Sequence, residues 1–306
     1  AGDTAPGMPT GINLPNSSWI REQHGSKSVT LGNILEAYEA EERDNGVLSE
    51  FAASEREAWR ARTYGELAHV LLVDMHEVIG HASGKLAPGV GDLGSTLGHY
   101  GSTLEEARAD LVALYYLLDP KLIELKVASS LEVGRAAYDA YLRDALVQIA
   151  SVPQGEPLQE DHMRNRQLVA HWVLREGAAA KGLAPVVERV QRGGKTYYVV
   201  RDYPKLRQLF GRLLREVQRI KSEGDRDAAR ALVEDFGVRI EPALHAEVRT
   251  RYAALHLAVH SGFIQPELVP VTKADQIVDV RIEYPSDFAA QQLRYSAKYS
   301  FLPANP

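Results

Sequence analysis

The sequence predicts a mainly α-helical domain with a few β-strands, and three observations carry that reading. Strong helix formers recur with apolar residues three and four apart through most of the chain, as in Glu105–Tyr116 (EEARADLVALYY). The clearest strand signal is short: Lys195–Arg201 (KTYYVVR) is β-branched and aromatic. With Val186–Gln191 and the intervening Arg192-Gly193-Gly194 it reads as a hairpin. Gly, Pro, Asn and Ser crowd the first 30 residues, which read as an extended arm with turns.

Taken in order, Ser28-Val29-Thr30-Leu31 leads into a helix ending near Asn45, and a second helix covers 49–62. A third, 64–81, contains His76-Glu77-Val78-Ile79-Gly80-His81. The glycine-rich segment 82–103 reads as a long loop, and loops of that length inside a compact domain are usually functional or mobile. Helices follow at 104–118, 121–127, 130–150 and 159–178. Ser102 or Thr103 is the expected cap of the 104–118 helix, which would place Glu105 and Glu106 in its first turn, where the helix dipole favours negative charge. After the hairpin come amphipathic helices at 203–222 and 225–236, a last helix at 242–259, and a β-leaning tail strongest at Gln276–Tyr284. No repeat or low-complexity tract interrupts the chain. Residues 1–306 therefore read as a single domain: arm 1–30, helical core with a small hairpin 31–265, tail 266–306.

Composition narrows the function. Hydrophobic content of 45%, charged content of 25% and a net charge of −6 suit a globular protein. With no basic block, nucleic acid is an unexpected partner. No segment approaches the ~20 apolar residues of a membrane span. The chain has no cysteine, so disulfides and thiolate ligands are excluded and any metal site must use His and carboxylate, the donor set of catalytic sites. Absence of cysteine suits cytoplasm and periplasm alike, with the cytoplasm the favoured expectation.

His76 and His81 lie five residues apart, one more than in the common H-E-x-x-H zinc motif. On a regular helix they would diverge by roughly 140° at about 100° per residue. They converge only if the helix takes in a π-type bulge or unwinds locally, and Gly80 is a residue type that tolerates such distortion. Glu77 is then placed to act on a metal-bound water, and a third ligand is expected from the carboxylates of Leu104–Asp110 (LEEARAD). His256 and His260 are also four apart, but with no acidic companion the run LHLAVH reads as a packed helix face.

HEVIGH followed by EEARAD resembles the dipeptidyl peptidase III family of metallopeptidases. The resemblance implies that His76, His81 and Glu106 bind one Zn2+ per chain, that Glu77 is the general base, and that Glu105 and Asp110 orient the histidines. Thr10–Asn16 (TGINLPN) is similar to the family's substrate-pairing strand, which implies that Asn13 and Asn16 hold the peptide near its amino end. His162–Arg166 (HMRNR) resembles the family's H-M-x-x-R, implying a transition-state role for His162 and a place in the substrate cleft for Arg166. The implied activity is release of dipeptides from the amino end of short peptides by a helical catalytic lobe. Family members are usually longer, with a β-rich lobe that forms the other wall of the cleft, so that lobe is the expected partner and activity without it is expected to be weak. Two further readings fit the same residues: a zinc endopeptidase with an open cleft, and a zinc-stabilised, non-catalytic peptide-binding fragment.

Overall fold

A computed structural model of the chain describes residues 9–15, 17–43, 45–178, 183–257 and 264–301. They fall into two compact units, Thr10–Leu257 and a smaller one containing 264–301, where the sequence reading keeps one domain. The larger unit begins with β1 (Gly11–Leu14), α1 (Ser18–His24), β2 (Lys27–Thr30), α2 (Gly32–Glu42), α3 (Val47–Phe51) and α4 (Glu55–Met75). A π-helical turn, His76–His81, continues α4 without a break. Then come α5 (Leu93–Leu97), α6 (Tyr100–Leu117), α7 (Lys121–Glu124), α8 (Leu131–Val147) and α9 (Asp161–Glu176). The antiparallel pair β3 (Val187–Arg192) and β4 (Lys195–Val200) precedes α10 (Tyr203–Glu223), α11 (Arg226–Val233), a second π-turn (Glu234–Val238) and α12 (Pro242–Ala253). The smaller unit holds the antiparallel hairpin β5 (Glu267–Lys273) and β6 (Gln276–Glu283), followed by α13 (Phe288–Tyr299).

Helix α6 is the centre of the larger unit. Leu104, Ala107, Leu111 and Leu114 are buried in one apolar cluster with residues of α8, α9, α10 and α11. Ala113 and Leu117 are buried in a second cluster with Ala68, Leu71 and Met75 of α4 and Val133, Ala136 and Ala137 of α8. A helix apolar on more than one side is a buried helix, and this one is fixed from several directions. That matters because α6 also carries Glu105, Glu106 and Asp110. The hairpin expected at 186–201 forms with Gly193 and Gly194 both at positive φ (56° and 77°), as a tight two-residue turn requires.

Several boundaries differ from expectation. The helices expected at 49–62 and 64–81 are one continuous helix from Glu55 through the π-turn. Gly65 does not interrupt it, since a single glycine costs only about 1 kcal/mol and burial of Ala58, Ala68, Leu71 and Met75 offsets that. Helix α6 starts at Tyr100, so Ser102 and Thr103 lie inside it and Glu105 and Glu106 fall beyond the first turn. Thr103 spends its hydroxyl on Asp161 Oδ1 at 2.5 Å. The arm contains α1, the 82–103 loop contains α5, and the end of the tail is α13, capped by Asp287 accepting from Ala290 N at 2.9 Å. Among the described residues no helix is long and apolar enough to cross a membrane.

Candidate metal centre

The centre lies where the π-turn meets α6. Ser54 caps α4 by accepting from Glu57 N at 3.2 Å, and 21 residues of helix then deliver His76 to the core. The π-turn lets histidines five apart face one another: their ring centroids are 4.6 Å apart and the planes cross at 86°. Gly80 serves this turn through packing. A Cβ at Gly80 would stand 2.8 Å from Ala109 Cα, so the missing side chain lets the π-turn press onto α6.

Each imidazole is fixed through Nδ1. His76 Nδ1 donates to Asp110 Oδ1 at 2.7 Å, and His81 Nδ1 to Glu105 Oε1 at 3.1 Å. A carboxylate only accepts, so in the neutral form of each ring the proton sits on Nδ1 and Nε2 is left to present a lone pair. Both lone pairs point toward Glu106 Oε2, at 3.2 Å from His76 and 3.7 Å from His81. That oxygen is buried without a hydrogen-bond partner. Donor atoms of His76, His81 and Glu106 all lie within 4.8 Å of one another, the one such group among the described residues. Three donor groups converging in a buried space could hold a cation between them, and two imidazoles with one carboxylate fit the donor set of a catalytic metal site.

The surrounding charges agree. Burial lowers the His76 pKa, but the Asp110 and Glu106 carboxylates outweigh it and push it up to about 10. Burial raises Asp110, yet His76, Arg166 and Tyr141 hold it down at about 2. Burial also raises Glu105, but His81, Arg108 and Lys221 hold it well below the usual carboxylate range.

Glu77 is buried next to the first histidine, and its Oε2 has no hydrogen-bond partner. Its backbone oxygen is the anchor of the arm: it accepts from Asn13 Nδ2 at 3.1 Å and from Ser28 Oγ at 3.0 Å. Strand β1 therefore lies directly on the π-turn, and a Cβ at Gly11 would stand 2.6 Å from Glu77 Cγ. Arg21 of α1 adds a second clamp, donating to Pro15 O at 2.5 Å and to His81 O at 3.1 Å.

Asn13 is buried, with Nδ2 committed to Glu77 O and Ser28 Oγ and only Oδ1 left without a partner. Asn16 lies outside the described residues. His162 stands at the start of α9, its side chain 58% exposed and its Nδ1 3.3 Å from Glu106 Oε2. These groups border a cleft of about 540 Å3, lined by β1, the π-turn, His162 and the glycine-rich face of Gly94, Gly98 and Gly101. Arg166 is not brought to this cleft. It is half-buried one turn along α9 and donates to Gln148 Oε1 at 3.0 Å.

The structure adds residues that motif reading passed over. Lys221 of α10 is buried and donates to Glu105 Oε2 at 2.6 Å. Arg108 reaches Glu105 Oε1 at 2.6 Å from the next turn of α6. Tyr141 of α8 donates to Asp110 Oδ2 at 2.9 Å, with the Asn165 side-chain amide 3.0 Å away. A signal existed for Lys221, which continues the apolar spacing of Leu206, Phe210, Leu213 and Val217 on a strongly amphipathic helix. A lysine on such a face needs a buried partner.

Fold and site together define a helical unit built around a His-His-Glu group that could hold a metal ion. The model of the family described as peptidase family M49 matches residues 4–92 and 88–286. Dipeptidyl peptidase 3 of Mus musculus is 28% identical over 268 residues, covering 75% of this chain and 35% of the relative. The Homo sapiens protein of the same name is 26% identical with the same coverage. The solved structure of DPP III from Caldithrix abyssi superposes with a TM-score of 0.64 at 24% identity, covering 86% of this chain and 46% of that one. Dipeptidyl-peptidase III from Corallococcus sp. strain EGB gives a TM-score of 0.62 at 22% identity, with coverages of 82% and 42%. The chain belongs to peptidase family M49. It spans about a third of the length of these curated relatives.

Proposed function

We propose that this chain is the zinc-bearing lobe of a dipeptidyl peptidase that releases dipeptides from the free amino end of short peptides. The observation that carries the proposal is the convergence of His76 Nε2, His81 Nε2 and the unpartnered Glu106 Oε2, beside an unpartnered Glu77 carboxylate. When bound there, zinc would polarise a scissile carbonyl and lower the pKa of a water molecule. Glu77 accepts the water proton at Oε2 and returns it to the leaving amine. His162, at the mouth of the cleft, donates a hydrogen bond to the oxygen on which negative charge develops. Asp110 and Glu105 keep both Nε2 atoms aimed inward. Strand β1 borders the cleft and offers main-chain hydrogen bonds to an extended peptide, while Asn13 Oδ1 is free to accept from its amino end. A β-rich lobe across the cleft would complete the capture of that amino group.

The test compares a free hexapeptide with its N-acetylated form, using the zinc-loaded chain with and without the β-rich lobe of a relative added in trans. Dipeptide release from the free peptide only is expected, rising when the lobe is added. Glu77→Gln should keep zinc and lower kcat/KM by about 10²–10⁴-fold. Internal cleavage of the acetylated peptide at the same rate would make the chain an endopeptidase. Zinc binding with no hydrolysis under any of these conditions would leave a peptide-binding fragment.

A further inference from the structure

A second cavity, of about 460 Å3, lies at the other end of α4. The start of α4, the middle of α8, the hairpin β3–β4 and Tyr203 of α10 enclose it. Five arginines line it, Arg56, Arg60, Arg135, Arg192 and Arg201, with the carboxylates Glu57 and Asp139; Glu132 and Glu188 pair with Arg60, Arg135 and Arg201 from beside the cavity.

The floor is internally satisfied. Arg60, 3% exposed, donates to Glu132 Oε2 at 2.8 Å and to Tyr203 Oη at 2.7 Å, and also pairs with Asp139. Glu57 accepts from Ala53 N at 2.8 Å and from Arg143 at 3.2 Å. Both acids are therefore already engaged, and at the rim Glu132 meets Arg135 and Glu188 meets Arg201 at 2.9 Å, which leaves Arg56 and Arg192. Arg192 donates only to a backbone oxygen, that of Ala53, at 2.5 Å. Neither Arg56 nor Arg192 has a carboxylate partner among the described residues. Arg135 meets Glu132 through one nitrogen, but its Nε is buried without a partner. The cavity thus combines excess positive charge, concavity and unused guanidinium donors.

We propose that this cavity is a ligand site for a small phosphorylated molecule, whose phosphate oxygens take the free donors of Arg56, Arg135 and Arg192. Guanidinium forks match phosphate oxygens in pairs, and a concave cationic surface focuses its field on an anion. The volume exceeds that of a single inorganic ion and leaves room for an organic part. Helix α4 alone spans about 30 Å at 1.5 Å per residue, so this site is separate from the metal centre.

Calorimetric titration of the full 306-residue chain at low ionic strength tests it, with pyrophosphate, inorganic phosphate and glutarate as probes. Pyrophosphate is expected to bind once per chain and more tightly than the other two. Arg56→Glu, at an exposed position, and Arg192→Ala should each weaken it at least tenfold while zinc content and Tm stay unchanged. Glu106→Gln should bind pyrophosphate as the parent does. The proposal is overturned if no probe binds, if Arg56→Glu binds as the parent does, if Glu106→Gln abolishes binding, or if glutarate binds more tightly than pyrophosphate.

Discussion

His76 and His81 face each other in the candidate metal centre but are supported in opposite ways. Asp110, which orients His76, accepts from the uncharged Tyr141, which Asn165 meets in turn, and Arg166 acts on Asp110 only from a distance. Glu105, which orients His81, is gripped directly by two cations, Arg108 and Lys221. The first support holds a carboxylate against the imidazole with no other cation among the described residues in direct contact, which would make His76 the more strongly polarised ligand of a bound metal. The second exchanges that polarisation for a rigid, charge-balanced anchor. The candidate centre thus combines an electrostatic lever with a mechanical one, and substitutions can separate them.

The largest effect is expected where both supports end. Glu106→Gln removes the anionic oxygen that both Nε2 atoms face, so metal analysis of the purified variant should find no stoichiometric zinc, with the fold retained by circular dichroism. Zinc at one per chain in that variant would show that Glu106 is not a ligand.

Next come the two orienting acids. Loss of an outer carboxylate typically costs 10–100-fold in metal affinity. Asp110→Asn is expected at the upper end, because it removes the charge that polarises His76. Glu105→Gln is expected at the lower end, because Arg108 and Lys221 already offset much of its charge. Competition with a chelator gives both values, and equal losses would erase the distinction between the two sides.

A third test uses pH. Lys221 helps to hold Glu105 well below its usual range, and a depressed carboxylate loses its contribution as pH falls through its folded pKa. In Lys221→Met that pKa rises, so zinc affinity should begin to drop at a higher pH than in the parent. Above that range the two proteins should converge. Superimposable affinity–pH curves would mean that Arg108 alone sets the charge of Glu105.

The smallest effect on the metal is expected from Tyr141→Phe. Zinc affinity should fall by less than about tenfold, while stability falls by about 1–3 kcal/mol because Asp110 Oδ2 is left buried and unpaired. Denaturant unfolding together with zinc competition checks both halves. A zinc loss as large as that of Asp110→Asn would make Tyr141 an equal member of the support.

Much of this centre was legible in the chain. The five-residue spacing of His76 and His81 demanded a distorted helix, and the structure has a π-turn there. Other details were legible in residue type but not in cause. Gly80 reads as a residue that tolerates distortion, whereas its close approach to Ala109 shows that α6 needs the space. Asn13 reads as a substrate contact, yet its amide nitrogen holds β1 onto the π-turn. The start of α6 was misplaced because Ser102 and Thr103 look like caps, and only the position of Asp161 shows where Thr103 directs its hydroxyl.

By itself the sequence determined the helical class, the exclusion of thiolate chemistry and the presence of two histidines and nearby acids on successive helices. Each of these is a matter of composition or of short-range spacing, which the backbone geometry of a helix converts directly into which side chains share a face. The tertiary structure decided the rest: that Lys221, 116 residues from Glu105, offsets the charge of that carboxylate, that Tyr141 steadies Asp110 from a third helix, and that five arginines from α4, α8 and the β3–β4 hairpin with its exit line one cavity. Such meetings depend on how helices cross, and the crossing is set by the packing of the whole core around α6 rather than by any local run of residues.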